Sequence, residues 1–463
     1  MKHNKKHIYT RQLQSNFRKK ILRKKRKERA RRGYEKFMAD VRKLHPKKKN
    51  KKETFNTIYR KSKLSKKPEY SEGIEYFKTK KYSFSNKKQI FKNGVINIPE
   101  TFSLIDNYSE TTNFLNKLFN TLDQQSYGSI IIDYQYCKQI DVGASVCMDI
   151  MLSEFINYFN KCERGRHKVR INRIKPINYE SYNIKKILFS IGAFRNIRGF
   201  VVNFENILAF PIIIGNNKDP QNPSKREIDI TKTVDYVIES LGKLNKTLTA
   251  TAETNFYKVI GEVLQNADEH SDLSRRYSIG YFENSKQGDY GVFNLAILNF
   301  GNTIYETFKN PSCENKYVLN QMKDLSSKFT KKGFFKSAEF EEETLWTLYS
   351  LQDGVTRIED WDRGNGSIRF IENFFKLKGE TSDTISKMVI SSGHTRVIFN
   401  GEYDTVEKIR GSNNKKYKMM TFNKTGDIED KPDPKYVTFE KNYFPGTLIS
   451  ARIRMDFENT EDL

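Results

Sequence analysis

The chain has 463 residues, long enough for two or three domains, and its 37% hydrophobic and 13% aromatic content is enough to fill real cores. It contains no run of about 18 apolar residues and its basic N-terminus lacks the apolar stretch of a signal peptide, so a cytoplasmic protein without a membrane span is expected. The four cysteines, Cys137, Cys147, Cys162 and Cys313, follow neither metal-ligand nor paired spacing, so reduced thiols are expected.

The formal charge of +26 is local. Residues 1–67 hold 28 Lys and Arg against 4 Asp and Glu, which leaves the rest of the chain close to neutral. The runs Arg18–Arg32 and Lys47–Lys52 repel themselves, so a disordered or fluctuating helical tail is expected. Charge this dense suits a polyanion, nucleic acid first and an anionic membrane face second, and a solvated tail is the plainer alternative. No interleaved aromatic side chains support base stacking, so such binding would be independent of sequence.

Residues 68–94, polar and rich in Tyr and Lys, read as a linker or as the first edge of the next domain. From Gly94 the pattern alternates: a strand at 94–99, a helix over 107–122, a buried strand at Ser129–Asp133, and a turn at 139–145 entering an apolar helix. A strand near 169–174 and a helix from Ile184 to about Gly192 follow. This β-α alternation predicts a small α/β domain over 95–205 with a largely parallel sheet. Pro220, Pro223 and several Asn mark a linker over 206–227.

A second domain is expected over 228–458. Ile230–Leu244 is an amphipathic helix, and 251–270 forms another, with Ile260, Val263, Leu264 and Ala267 directed at a core. In this second helix Glu262, Asn266 and His270 stand at i, i+4 and i+8 and share a face. The Asn oxygen suits a hard Mg²⁺ ion and the Glu can orient or deprotonate an attacking water. Taken alone, the same spacing also describes an ordinary polar surface. His270 reads more simply as a helix-end residue than as a phosphoacceptor.

Strands at 277–282 and 292–299 form an antiparallel pair that ends in Asn299-Phe-Gly301. A mixed segment over 308–335 suits a mobile lid. Leu345–Leu351 is helical, and Gly364-Asn-Gly366 precedes an apolar helix whose N-terminal amides can cradle phosphate. Strands near 387–390, 395–399 and 448–453 close the chain, with His394 in a turn and Pro445-Gly446-Thr447 before the last strand.

Ile130–Asp133, the Ile140-Asp141-Val-Gly-Ala turn and the Ile187–Gly192 helix end resemble the STAS domain of bacterial anti-sigma-factor antagonists over 95–205. That family usually places a phosphorylatable Ser or Thr after the aspartate. Here Val142 and Gly143 follow Asp141 and Ser145 is displaced. The order from the Glu-x-x-x-Asn helix to Gly-Thr resembles the GHKL ATPase fold, the α/β sandwich of gyrase, histidine kinases and anti-sigma kinases, over about 228–456. The resemblance implies ATP and Mg²⁺ as cofactors. It makes Asn266 the metal ligand and Glu262 the catalytic base, places Gly364 and Gly366 beside the triphosphate, and puts Asn299, Gly301 and Thr447 around the adenine. The family's usual adenine-binding Asp is Asn299, and the second glycine of its Asp-x-Gly-x-Gly is Thr303.

Three functions are compatible with these residues: a Mg·ATP-driven switch, an anti-sigma-type serine kinase acting on a STAS partner, or a degenerate nucleic-acid-binding scaffold. A protein partner for the STAS-like region and a homodimer are further expectations. Autophosphorylation in the manner of a two-component sensor is not expected, because no His stands in the required helical context.

Overall fold

A computed structural model describes Glu28, Arg32, Glu35 and residues 68–79, 90–124, 128–164, 173–216, 224–273, 275–285, 290–330, 340–356, 366–378, 383–410 and 415–456. Pro68–Leu463 is one compact unit, distinct from Met1–Lys67. The expectations for the basic tail therefore fall almost wholly outside the described residues.

In chain order the elements are α1 (Glu72–Lys78), β1 (Val95–Asn97), β2 (Thr101–Phe102), α2 (Tyr108–Gln124), β3 (Ser129–Asp133), β4 (Gln139–Ile140), α3 (Val142–Arg164), β5 (Arg173–Ile177), α4 (Tyr182–Ser190) and α5 (Ala193–Asn196). Then come β6 (Ile207–Asn216), α6 (Ser224–Gly242), α7 (Ala250–Glu269), β7 (Arg275–Asn284), β8 (Tyr290–Phe300), α8 (Ile304–Lys309), α9 (Lys316–Thr330), α10 (Glu342–Ser350) and α11 (Gly366–Lys376). Strands β9 (Lys387–Phe399), β10 (Val406–Arg410), β11 (Lys415–Met419) and β12 (Val437–Asp456) complete the described chain.

The architecture is mixed α/β. Strands β6-β7-β8-β12-β9 form one sheet with every neighbouring pair antiparallel. The N-terminal elements form a parallel sheet, β1-β3-β5, and a short parallel β2-β4 pair, as the β-α alternation predicts. Among the described residues no helix is long and apolar enough to cross a membrane.

The five-stranded sheet is buried on both faces, and the two-residue alternation of β8 shows how. Phe293, Leu295 and Ile297 join a core with α6, α7 and α11, whereas Ala296, Leu298 and Phe300 join a core with α1, α2 and α3. Strand β7 contributes Tyr277, Ile279 and Tyr281 to the second of these cores. The N-terminal α/β region is thus a layer on the sheet.

Two expected linkers belong to this packed unit. Within 68–94, α1 starts at an N-cap formed by Ser71, whose Oγ accepts from Ile74 N at 3.3 Å, and it buries Ile74 and Phe77 in the core. Its polar composition hid a short amphipathic helix. Within 206–227, β6 pairs antiparallel with β7, and α6 begins at Ser224. The prolines at 220 and 223 lie outside the described residues.

Two other expectations change. The strands near 387–390 and 395–399 are one strand, so His394 is a strand residue, with its Nδ1 2.8 Å from the Glu440 carbonyl. Gly393, at φ +62°, supplies the irregularity that resembled a turn. Strand β12 begins at Val437, so Gly446 and Thr447 lie within it. The β10-β11 hairpin was not anticipated, because its sequence is dominated by charged residues with no buried alternation.

Ser145, the displaced candidate for phosphorylation, is buried at 1% exposure on α3. Asp141 caps that helix: its Oδ1 accepts from Ala144 N at 2.6 Å, and its Oδ2 accepts from Ser103 Oγ at 2.6 Å and Ile105 N at 3.0 Å. Burial pushes the Asp141 carboxyl up and these donors pull it down. The Asp141 turn is therefore a structural joint closed against the sheet, where a Cβ on Gly143 would stand 3.2 Å from Ser450 Oγ. All four cysteines are buried.

Candidate functional site

Helix α7 carries the polar face singled out in the sequence. Thr249 caps it by accepting from Ala252 N at 3.2 Å, and Phe256, Val259, Ile260, Val263, Leu264 and Ala267 bury its apolar stripe. Burying such a stripe fixes the helix's rotation, at about 1.5–3 kcal/mol for each large side chain. Its opposite edge presents Glu262, half-buried, and Asn266, exposed, to a cavity of about 500 Å³ between α7 and the sheet.

The cavity gathers residues distant in sequence. Glu262, Asn266 and His270 line it from α7, Asn299 from β8 and Thr447 from β12. Asn299 and Thr447 are cross-strand partners in the β8-β12 ladder, which explains why residues 148 apart in the chain share one floor. Ile297, Ile390 and Ile449 add apolar surface beside them, and Ile304 and Thr307 of α8 form part of the wall.

The polar groups at the sheet end are uncharged. Asn299 is 2% exposed and its Nδ2 has no hydrogen-bond partner among the described residues. The Thr447 hydroxyl lies 3.0 Å from Ser392 Oγ, which accepts from Ile304 N at 2.9 Å and donates to Gly446 O at 3.1 Å. Ser392 thus ties β9, β12 and the start of α8 at this end of the cavity.

The remaining predicted residues divide. Gly301 is buried below the site without lining the cavity: a Cβ there would meet the His270 carbonyl at 2.1 Å and Asp272 N at 2.5 Å. The glycine lets the end of β8 approach the loop after α7, a packing role. Gly364 lies outside the described residues, and Gly366 is the first residue of α11, whose next residue, Ser367, lines the cavity. Thr303, where a second glycine was expected, caps α8. Its Oγ1 accepts from Glu306 N at 3.1 Å while Glu306 Oε2 accepts from Thr303 N at 3.1 Å.

The expected lid segment contains the end of α8 and all of α9, where Phe308, Val318 and Met322 pack with Trp346 of α10. Residues 331–339 of that segment lie outside the described residues.

Several lining residues were not anticipated. Lys258 stands one turn before Glu262 and was legible from helical spacing alone. Arg226 and Glu227 come from the start of α6, in the stretch read as linker, and Glu227 accepts from the Tyr257 hydroxyl at 2.7 Å. Ser392 had no sequence signal, because its role depends on β9, β12 and the start of α8 meeting.

Among the described residues, no group of three or more His, Cys, Asp or Glu side chains forms a metal site. Any cation here would therefore take most of its ligands from a bound molecule or water, with Asn266 as a protein oxygen. No protein-family model, curated protein or solved structure matches the chain.

Proposed function

We propose that this cavity binds a Mg²⁺-bound purine nucleoside triphosphate, with ATP the first ligand to try, and that the chain is a GHKL-type nucleotide-binding regulatory protein. The observation that carries the reading is the convergence of Glu262, Asn266, Asn299 and Thr447, from three elements, on one cavity of about 500 Å³. That volume suits a nucleotide. The buried Asn299 Nδ2 without a partner is a polar group that a base could satisfy.

In this reading Asn299 and Thr447 hold the base edge, and the isoleucines pack its faces. The start of α11 with Ser367, together with Lys258 and Arg226, meets the phosphates. Asn266 offers its Oδ1 to the cation, and Glu262 stands one turn away to accept a proton from a water. The bound nucleotide supplies the transferable phosphoryl group, and the cation neutralises charge on it. The N-terminal layer is read as STAS-like. Its place on the opposite face of the sheet supports a built-in structural partner, and the buried Ser145 favours a switch over phosphorylation control of this layer.

Calorimetric titration of the full chain with Mg·ATP, beside Asn266→Ala, tests the proposal. Binding by the wild type that weakens at least tenfold in the folded variant supports it. Equal affinity in both sinks it.

A further inference from the structure

Resting on that nucleotide reading, we infer that the base subsite accepts 6-oxopurines as readily as 6-aminopurines, so that guanine nucleotides are ligands alongside adenine nucleotides. The Asn299 side chain is 2% exposed and lines the cavity, and among the described residues nothing accepts from its Nδ2. No described partner therefore holds the amide nitrogen in place.

A terminal carboxamide torsion is broad and roughly two-fold, so its two ends exchange by a half-turn. Turned one way it offers Oδ1 to the 6-amino group of adenine. Turned the other way it offers Nδ2–H to the 6-oxo group of guanine. In either orientation the neighbouring atom complements the adjacent ring position, because N1 of adenine accepts and N1–H of guanine donates. An ionised carboxylate at the same position could only accept, and it would face the guanine oxygen with a repelling lone pair.

The second polar group of the subsite is fixed instead. Ser392 gives its one hydrogen to the Gly446 carbonyl, so the Thr447 hydroxyl donates to Ser392 Oγ and keeps only its lone pairs for a ligand. The walls beside them, Ile297, Ile390 and Ile449, are apolar and distinguish neither base. No charged side chain of the described structure occupies the β8-β12 floor between Asn299 and Thr447, which face each other directly in the ladder. Base choice at this floor is accordingly set by Asn299, whose amide can reverse its polarity, and whose partner in β7 is the buried Arg276, tied to Asp229.

The test is competition of ATP and GTP, each with Mg²⁺, against a fluorescent purine nucleotide on the full-length protein, in the wild type and in Asn299→Asp. The expected wild-type result is affinities within about threefold of each other. In Asn299→Asp, ATP is expected to exceed GTP by at least about tenfold, because the carboxylate leaves the guanine oxygen unpaired. A wild type that already prefers ATP tenfold or more overturns the inference and leaves the nucleotide site standing. Failure of both nucleotides to bind overturns the site itself. The wild-type ratio decides the matter even if the variant does not fold.

Discussion

The phenolic hydroxyl of Tyr76 donates to the carbonyl of Gly301, 225 residues further along the chain, at 3.0 Å. The same hydroxyl stands 3.3 Å from the Pro445 carbonyl. Gly301 lies two residues after Asn299 and Pro445 two before Thr447, so α1 clamps the end of β8 to the middle of β12 beside the residues proposed to face the base. Tyr76→Phe keeps the ring packing and removes the clamp. A loss of about 1–2 kcal/mol in denaturant unfolding is expected, together with weaker Mg·nucleotide binding. Unfolding and titration curves that match the wild type would show that the clamp is incidental.

Gly446 sits at φ +139°, and a Cβ there would lie 2.1 Å from the Asn299 carbonyl. Both the conformation and the close approach exclude a side chain. Gly446→Ala is expected to cost about 2–4 kcal/mol and to weaken nucleotide binding by displacing Asn299 from Thr447. Thermal melts with and without Mg·nucleotide separate the two effects.

Arg276, 1% exposed, ties the cavity's supporting elements together. Its Nη2 donates to Asp229 of α6 at 2.8 Å, and its Nε lies 3.0 Å from Asp268 of α7. Gly215 of β6 gives it room, since a Cβ there would stand 2.6 Å from the guanidinium carbon. Arg276→Met removes the guanidinium that stands between two buried carboxylates, and a loss of about 3–5 kcal/mol is expected by chemical denaturation. A change under about 1 kcal/mol would contradict this account.

Asp149 of α3 is fully enclosed, and burial pushes its carboxyl up to about 8 although the Asn196 amide, donating at 2.9 Å, pulls the other way. The folded state therefore holds a proton that the unfolded chain releases near its usual value of 3.8. The sign follows: this stabilisation is complete below about pH 4 and is lost as pH rises toward 8, by about 1.4 kcal/mol for each unit. Asp149→Asn cannot ionise, so its melting temperature should vary less over pH 4–8 and exceed the wild type's at pH 8. Parallel pH profiles in the two proteins would refute the assignment.

The tail, residues 1–67, is expected to bind single- or double-stranded nucleic acid without sequence preference, with log affinity falling linearly against log salt. Filter binding at several salt concentrations, with and without those residues, measures the slope. Affinity that survives the deletion would assign the binding to another surface.

The sequence by itself determined the local elements and the polar face of α7, because helical spacing is a short-range property. Glu262, Asn266 and the capped apolar stripe were legible from one run of twenty residues, as were the paired strands ending at Asn299. It also placed Gly366 at a helix start and Gly446-Thr447 near a strand. What it could not decide was anything that depends on which backbones touch. Gly301 read as a ligand-side glycine and proved to be a close approach to His270. Thr303 read as a lost glycine and proved to be a helix cap. Ser392 and Tyr76, which hold the strands together beside Asn299 and Thr447, carried no signal, since each acts on a partner at least 50 residues away. The linker readings of 68–94 and 206–227 failed for the same reason, although for 68–94 the alternative, a first edge of the next domain, agrees with α1. Their polar composition was visible, but the burial of Ile74 and Phe77 and the pairing of β6 with β7 exist only once the sheet has formed. Tertiary structure decided that the N-terminal layer and the cavity-bearing layer share one sheet, because a sheet with apolar residues on both faces must be covered on both.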